Sequence, residues 1–187
     1  MYNVQLIHSF HCFEFIELTL TYVETEEGVC YLSLITDAYS HMIVGWAVGP
    51  TLETVYPLEA LRMALSTIDD ETAAMLIHHS DRGSQYCSQT YVQELKRYNI
   101  SISMTQSGDP LENAVAERAN GILKTEWLYK MTIPTREVCK QELERIILFY
   151  NTELPHMSIG MQTPSMAHTE IEKAQSCMVT VPDTISV

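Results

Sequence analysis

The sequence predicts an α/β fold, a mixed five-stranded sheet with helices on its faces. Two observations predict it. Three segments of strand character follow one another closely near the N-terminus, joined by short turns, as in an antiparallel meander. After them, helical and extended segments alternate, as crossover units require. The 187 residues are enough for one domain with a hydrophobic core, and a chain 46% apolar and 19% charged has a globular composition. The expected organisation is a core over residues 1–170 and a disordered tail over 171–187.

Each element has its own signal. Over residues 13–24, Ile16, Leu18, Leu20 and Tyr22 alternate with Phe15, Glu17, Thr19 and Thr21, the period of two of a strand with unlike faces. Glu26-Glu27-Gly28 suits a hairpin turn. Residues 29–37 and 42–48 make two further strands, closed by Gly49-Pro50. Thr54 to Ser66 reads as a helix with Leu58, Leu61, Ala64 and Leu65 inward. Asp69-Asp70-Glu71 reads as a solvated break, and residues 74–80 as a short strand ending at Asp81. Ser88 to Arg97 is helical, with Tyr91 and Leu95 inward, and residues 100–104 form the fifth strand. Asp109-Pro110-Leu111-Glu112 has the pattern of a helix start, with Asp109 as N-cap and Glu112 bonding back. This helix is expected to run to about Lys130. Pro134 breaks the chain, Thr135 caps a last helix to about Tyr150, and residues 151–170 are expected to be irregular.

Composition limits the function classes. No apolar run is long enough to span a bilayer, and the N-terminus lacks the pattern of a signal peptide. Five scattered cysteines without a CxxC are expected to be reduced, in a cytoplasmic protein. The formal net charge is −13, with 11 Lys and Arg against 24 Asp and Glu. Nucleic-acid binding draws much of its affinity from cations that neutralise phosphates. The isolated chain is therefore expected to be a weak non-specific DNA binder.

Two carboxylates carry the chemistry. Asp81, in HHSDRGSQY, ends an apolar strand, and carboxylates at the carboxyl ends of strands face the ligand crevice of α/β proteins. Taken alone, a turn-forming Asp is an equal reading. Glu117 lies on a helix, with 35 residues between it and Asp81, and has Asn113, Asn120, Gly121 and Lys124 at helical spacing. That makes a polar face of amide, carboxylate, amide and ammonium, flanked by small residues that let a strand of nucleic acid approach. An ordinary solvated face is the commoner reading for a single Glu. His78 and His79 fit structural roles better than metal ligation. Ser84 and Ser107 have no nucleophile elbow or base partner.

HHSDRGSQYCS, ISMTQSGDPLENAVAERANGILKTEWL and YNTELPHMSIGMQTPSMA, with DAYSHMIVGWAV upstream, resemble the integrase core of bacterial insertion-sequence transposases. These belong to the retroviral-integrase superfamily. The resemblance covers about residues 16–168. It implies a ribonuclease H-like fold and a DDE triad that binds two Mg²⁺ (or Mn²⁺) ions for in-line displacement at a phosphodiester. It further implies that Asp81 and Glu117 are the second and third acids, both catalytic and metal-binding. Lys124, Asn113 and Asn120 would face DNA. Transposon-end and target DNA would be the partners, together with further copies of the chain or full-length transposase.

The departures from the family pattern are as informative. The family opens with an Asp-x-Thr-Tyr strand. Here the segment is Thr19-Leu20-Thr21-Tyr22, so Thr19 stands in the place of the first acid. A hydroxyl is a neutral, weak ligand for Mg²⁺, which prefers anionic oxygens. Glu17 shares the face but lies two residues back, roughly 6–7 Å along the strand. Asp37 matches an Asp of the family and is no replacement. His41 and Leu154 stand where the family carries basic residues. These features imply a DNA integration core with an impaired metal site. The alternative is an inactive remnant that associates with intact transposase subunits. A nuclease using Asp81 and Glu117 alone is a third reading.

Overall fold

The computed structural model describes residues 15–80, 88–104 and 114–170. These form the five-stranded mixed sheet that the sequence predicts. Strand β1 (Phe15–Thr25) pairs antiparallel with β2 (Gly28–Asp37), which pairs antiparallel with β3 (Ile43–Gly49). On the other side of β1, β4 (Ile77–Ser80) and β5 (Ser101–Met104) run parallel to it, giving the order β3-β2-β1-β4-β5.

The alternation in β1 sorts the two cores. Ile16 and Leu18 are buried in the cluster formed with α1 (Val55–Leu65) and α3 (Gln89–Arg97). Val23 faces the other cluster, formed with α4 (Ala114–Glu126) and α5 (Arg136–Glu153). Helix α1 presents Leu58, Leu61, Ala64 and Leu65, the stripe expected from its periodicity. It lies against β3 at Gly45, where a Cβ would fall 2.1 Å from the Ala60 carbonyl oxygen, so only glycine admits the helix backbone there.

Three boundaries differ from the sequence expectation. Asp69-Asp70-Glu71 is the start of a short helix α2 (Asp70–Met75), not a break. Asp69 caps it by accepting from the Thr72 N–H at 2.8 Å, and the following acids suit the positive end of the helix dipole. Ala74 and Met75 belong to this helix, so the strand before Asp81 is only Ile77–Ser80. Residues 151–170 are also more ordered than expected. Helix α5 continues to Glu153, a 3₁₀ turn covers Met157–Ile159, and residues 164–170 are helical. The capping box at Asp109–Glu112 and the tail from 171 lie outside the described residues.

Candidate active site

The site is built where the polar face of β1 meets α4. Ser80, the residue before Asp81, pairs with Leu18, the residue before Thr19. Asp81 itself lies outside the described residues, as do Asn113, Ser84 and Ser107. Thr19 is buried at 9% exposure, on the strand face opposite Leu18. Glu117 sits in the first turn of α4 and is exposed.

Three contacts tie α4 to β1. The backbone N–H of Ala116 donates to Glu17 Oε2 at 2.8 Å. Asn120 Nδ2 donates to Thr19 Oγ1 at 3.0 Å. Lys124 Nζ rests over the ring of Tyr22, 4.3 Å from its centroid. Glu17 is 6% exposed, and burial is the main cause that raises its pKa above the ordinary 4.5. Backbone N–H groups of Ala116 and Val115 oppose that rise, and repulsion from Glu117 adds to it. The carboxylate of Glu17 thus reaches the head of α4, although its Cα is two residues from Thr19. It serves there as an acceptor for the N–H groups that the first helical turn leaves unpaired.

The polar face expected on α4 is therefore split. Glu117 and Gly121 are exposed, and Lys124 is half-buried. Asn120 instead turns inward, at 9% exposure, and its Oδ1 has no hydrogen-bond partner among the described residues.

A divalent-ion pair of the kind the resemblance implies needs several anionic oxygens at one place. Thr19 offers a neutral oxygen that already accepts from an amide. Among the described residues, no group of three or more His, Cys, Asp or Glu could hold a metal ion. The described residues do not fit a three-carboxylate set at the head of α4.

A second polar cluster joins β2, β3 and α5. Asp37 Oδ1 accepts from the N–H and the hydroxyl of Ser40, at 2.6 and 2.5 Å, closing the turn after β2. Asn151 accepts from the Ile43 N–H at 3.0 Å and donates to the Ile43 carbonyl at 2.9 Å. His156 packs edge-on to His41 and Tyr150. Burial lowers the pKa of both histidines; the charge of Asp37 opposes this at His41, and repulsion from His41 adds to it at His156. Leu154 packs against the cluster of α4 and α5. His78 Nε2 and the Tyr91 hydroxyl lie 2.8 Å apart in the core, and burial pushes the His78 pKa down to about 4. His79 Nδ1 lies 3.1 Å from Ser103 Oγ. Both histidines thus have structural contacts, as the sequence suggested.

Residues 14–110 match the family described as Integrase core domain, and residues 98–164 match a second family of the same description. The chain belongs to the integrase core family. It is 34% identical over 154 residues to the transposase for insertion sequence element IS629 of Shigella sonnei, covering 82% of this chain and 50% of that protein. It is 35% identical over 146 residues to transposase InsF for insertion sequence IS3A of Escherichia coli (strain K12), covering 78% and 50%. The chain thus spans about half the length of these curated relatives.

The HTLV-2 integrase catalytic core domain, solved in complex with magnesium, superimposes with a TM-score of 0.63 at 16% identity, over 83% of this chain and 95% of that one. The catalytic core domain of BIV integrase gives 0.62 at 18% identity, over 87% and 98%. The fold is ribonuclease H-like, as the motifs implied.

The sequence did not single out Tyr22 or the contact between Glu17 and α4. Tyr22 read as one more residue of an alternating strand. Its signal was exposure at the end of an otherwise buried row, which periodicity alone does not show. The reach of Glu17 depends on where α4 begins relative to β1, a tertiary fact.

Proposed function

We propose that this chain is a core for DNA integration and transposition whose strand cleavage and transfer are impaired by the threonine at position 19. Membership of the integrase core family and similarity to insertion-sequence transposases support the DNA role. Asp81 and Glu117 are the two acids of the triad that remain, and Lys124, Asn113 and Asn120 are the family positions nearest the DNA. Asn120 acts through Thr19, since its amide is directed at that hydroxyl. The impairment rests on one observation: Thr19 Oγ1 accepts a hydrogen bond at 3.0 Å where an anionic ligand is needed. Mg²⁺ or Mn²⁺ is the ion that an intact triad would take. The HTLV-2 core was solved with magnesium. With a charge of −13, the isolated chain holds transposon-end and target DNA weakly, and the setting is the cytoplasm. No helix among the described residues is long and apolar enough to cross a membrane.

The test is to replace Thr19→Asp and measure Mg²⁺-dependent nicking and joining of a labelled DNA end. The restored chain is expected to nick, with the parent at least about a hundredfold slower, the scale on which loss of a charge-stabilising group is felt. Equal rates in both would remove Thr19 as the cause.

The alternative reading is an inactive subunit that joins intact transposase. Its support is that Glu17 and Asn120 tie α4 to β1 through hydrogen bonds of the protein itself. Co-purification with a full-length relative then gives a mixed oligomer, and its absence would sink this reading.

A further inference from the structure

Cys12, Cys87 and Cys177 lie outside the described residues, and the two remaining cysteines meet in the core. Cys30 is on β2, and Cys139 is the fourth residue of α5. Both are free thiols, at 1% and 0% exposure, in the cluster that α5 forms with the sheet. Each is the other's hydrogen-bond partner. The two are not equivalent. A cavity of about 140 Å³ is lined by Cys30 but not by Cys139, and Pro50, Arg136 and Lys140 form its exposed side. Arg136 also hydrogen-bonds to Cys30. Burial raises the pKa of both thiols. At Cys30 the charge of Arg136 and the hydrogen bonds from Cys139 and Arg136 oppose that rise. At Cys139 the neighbouring Cys30 adds to it, and the pKa is pushed up to about 12. The thiolate is the attacking form of a cysteine, so Cys30 is the nucleophile of the pair. A pair kept for packing alone has no use for a cavity and a cation at one of its sulfurs.

We propose that Cys30 and Cys139 are a peroxide-reactive pair, in which a hydroperoxide enters the cavity and oxidises Cys30, and Cys139 then closes a disulfide that joins β2 to α5. This goes beyond the DNA reading and does not depend on it. With hydrogen peroxide, the Cys30 thiolate attacks one oxygen and the O–O bond breaks. The other oxygen leaves with a proton as water, and Cys30 becomes a sulfenic acid. The Cys139 sulfur then attacks the Cys30 sulfur. The S–S bond forms, the S–O bond breaks, and the hydroxyl leaves with the Cys139 proton as a second water. Two thiols are oxidised by two electrons, and one peroxide is reduced. More than half of the chain lies between the joined positions, so the bridge strongly restricts the unfolded state. A thiol reductant reverses it.

The test treats the full chain with hydrogen peroxide at pH 8, alkylates the remaining thiols and maps the links by peptide mass spectrometry. The same treatment is given to the chain unfolded in urea. The native chain is expected to give the Cys30–Cys139 link, and the unfolded chain a mixture. The linked form melts about 10 °C higher, and dithiothreitol removes the gain. Oxidation of Cys30 speeds up about tenfold from pH 7 to pH 8, as for a thiol whose pKa lies above both. Arg136→Gln slows it about threefold, the net of less thiolate and a more basic sulfur. In Cys139→Ala the reaction stops at a Cys30 sulfenic acid that dimedone captures, whereas in Cys30→Ala Cys139 stays reduced. A native chain whose Cys30 and Cys139 stay reduced, or whose links match the unfolded mixture, overturns the pair. Capture of dimedone by Cys139 in Cys30→Ala overturns the order of attack.

Discussion

At the turn after β2, Asp37 accepts two buried hydrogen bonds from Ser40, and Asn151 exchanges two with the Ile43 backbone. At the head of α4, Glu17, Thr19 and Asn120 also join a strand to a helix. There a buried acid is raised in pKa and a buried amide oxygen has no partner among the described residues. Both clusters lie on family motifs. In the first, the motif residues that hold the frame are kept. In the second, the neutral hydroxyl of Thr19 accepts from Asn120, and on the proposed reading it stands where the triad has an acid. On that reading, frame and catalysis separate in this chain.

The largest effect that bears on this contrast is expected at Asn151. Asn151→Ala removes both bonds to Ile43 and leaves a buried N–H and C=O at the start of β3 without that partner. A loss of about 2–4 kcal/mol is expected, since buried groups left unsatisfied carry their full desolvation cost. Urea unfolding measures it. A loss below about 1 kcal/mol, the value of an ordinary hydrogen bond, would mean that apolar packing alone holds α5 to β3.

A smaller effect is expected at Thr19. Thr19→Val keeps the shape, removes the acceptor for Asn120, and is expected to cost about 1 kcal/mol. An unchanged midpoint would break the claim that this bond ties α4 down. The subtlest change is at Glu17. Its folded pKa is raised above 4.5 chiefly by burial. The stability linked to this group is therefore fully present below 4.5 and is lost as pH rises through the raised folded value. Glu17→Gln keeps an acceptor for the Ala116 N–H and removes the buried charge. It is expected to raise the melting temperature at pH 7 and to match the parent near pH 4. A variant less stable than the parent at pH 7 would show that the charge strengthens the cap more than burial penalises it.

Much of the fold was legible because it is written in local periods. The alternation of Ile16, Leu18 and Leu20 assigned the faces of β1 correctly, and the Leu58–Leu61–Leu65 stripe placed α1. The six-residue helix at Asp70–Met75 was not legible. It is too short to show a helical period, and its acidic start reads equally well as a loop. At the candidate site, the family resemblance set Thr19 and Glu117 at one site. It could not show that Asn120 turns inward while Glu117 stays out. Those two positions are three apart, and which one faces the sheet depends on how α4 is rotated about its axis.

The three contacts along α4 also follow a simple measure of length. Ala116, Asn120 and Lys124 are four residues apart, about 6.0 Å of helix per step. Their partners Glu17 and Thr19 are two strand residues apart, about 6.7 Å, and Thr19 and Tyr22 three, about 10 Å, so the helix falls behind the strand by less than an ångström at the first step and by about 4 Å at the second. Four residues also turn the helix about 40° beyond a full circle. Each successive contact is therefore carried round from the sheet toward solvent, and its donor has further to reach. The chain meets this with a backbone N–H at the first contact, a short amide at the second and a long ammonium at the third. One residue inserted between Ala116 and Asn120 would swing the last two donors about 100° out of line, leaving α4 attached to β1 at its first turn alone.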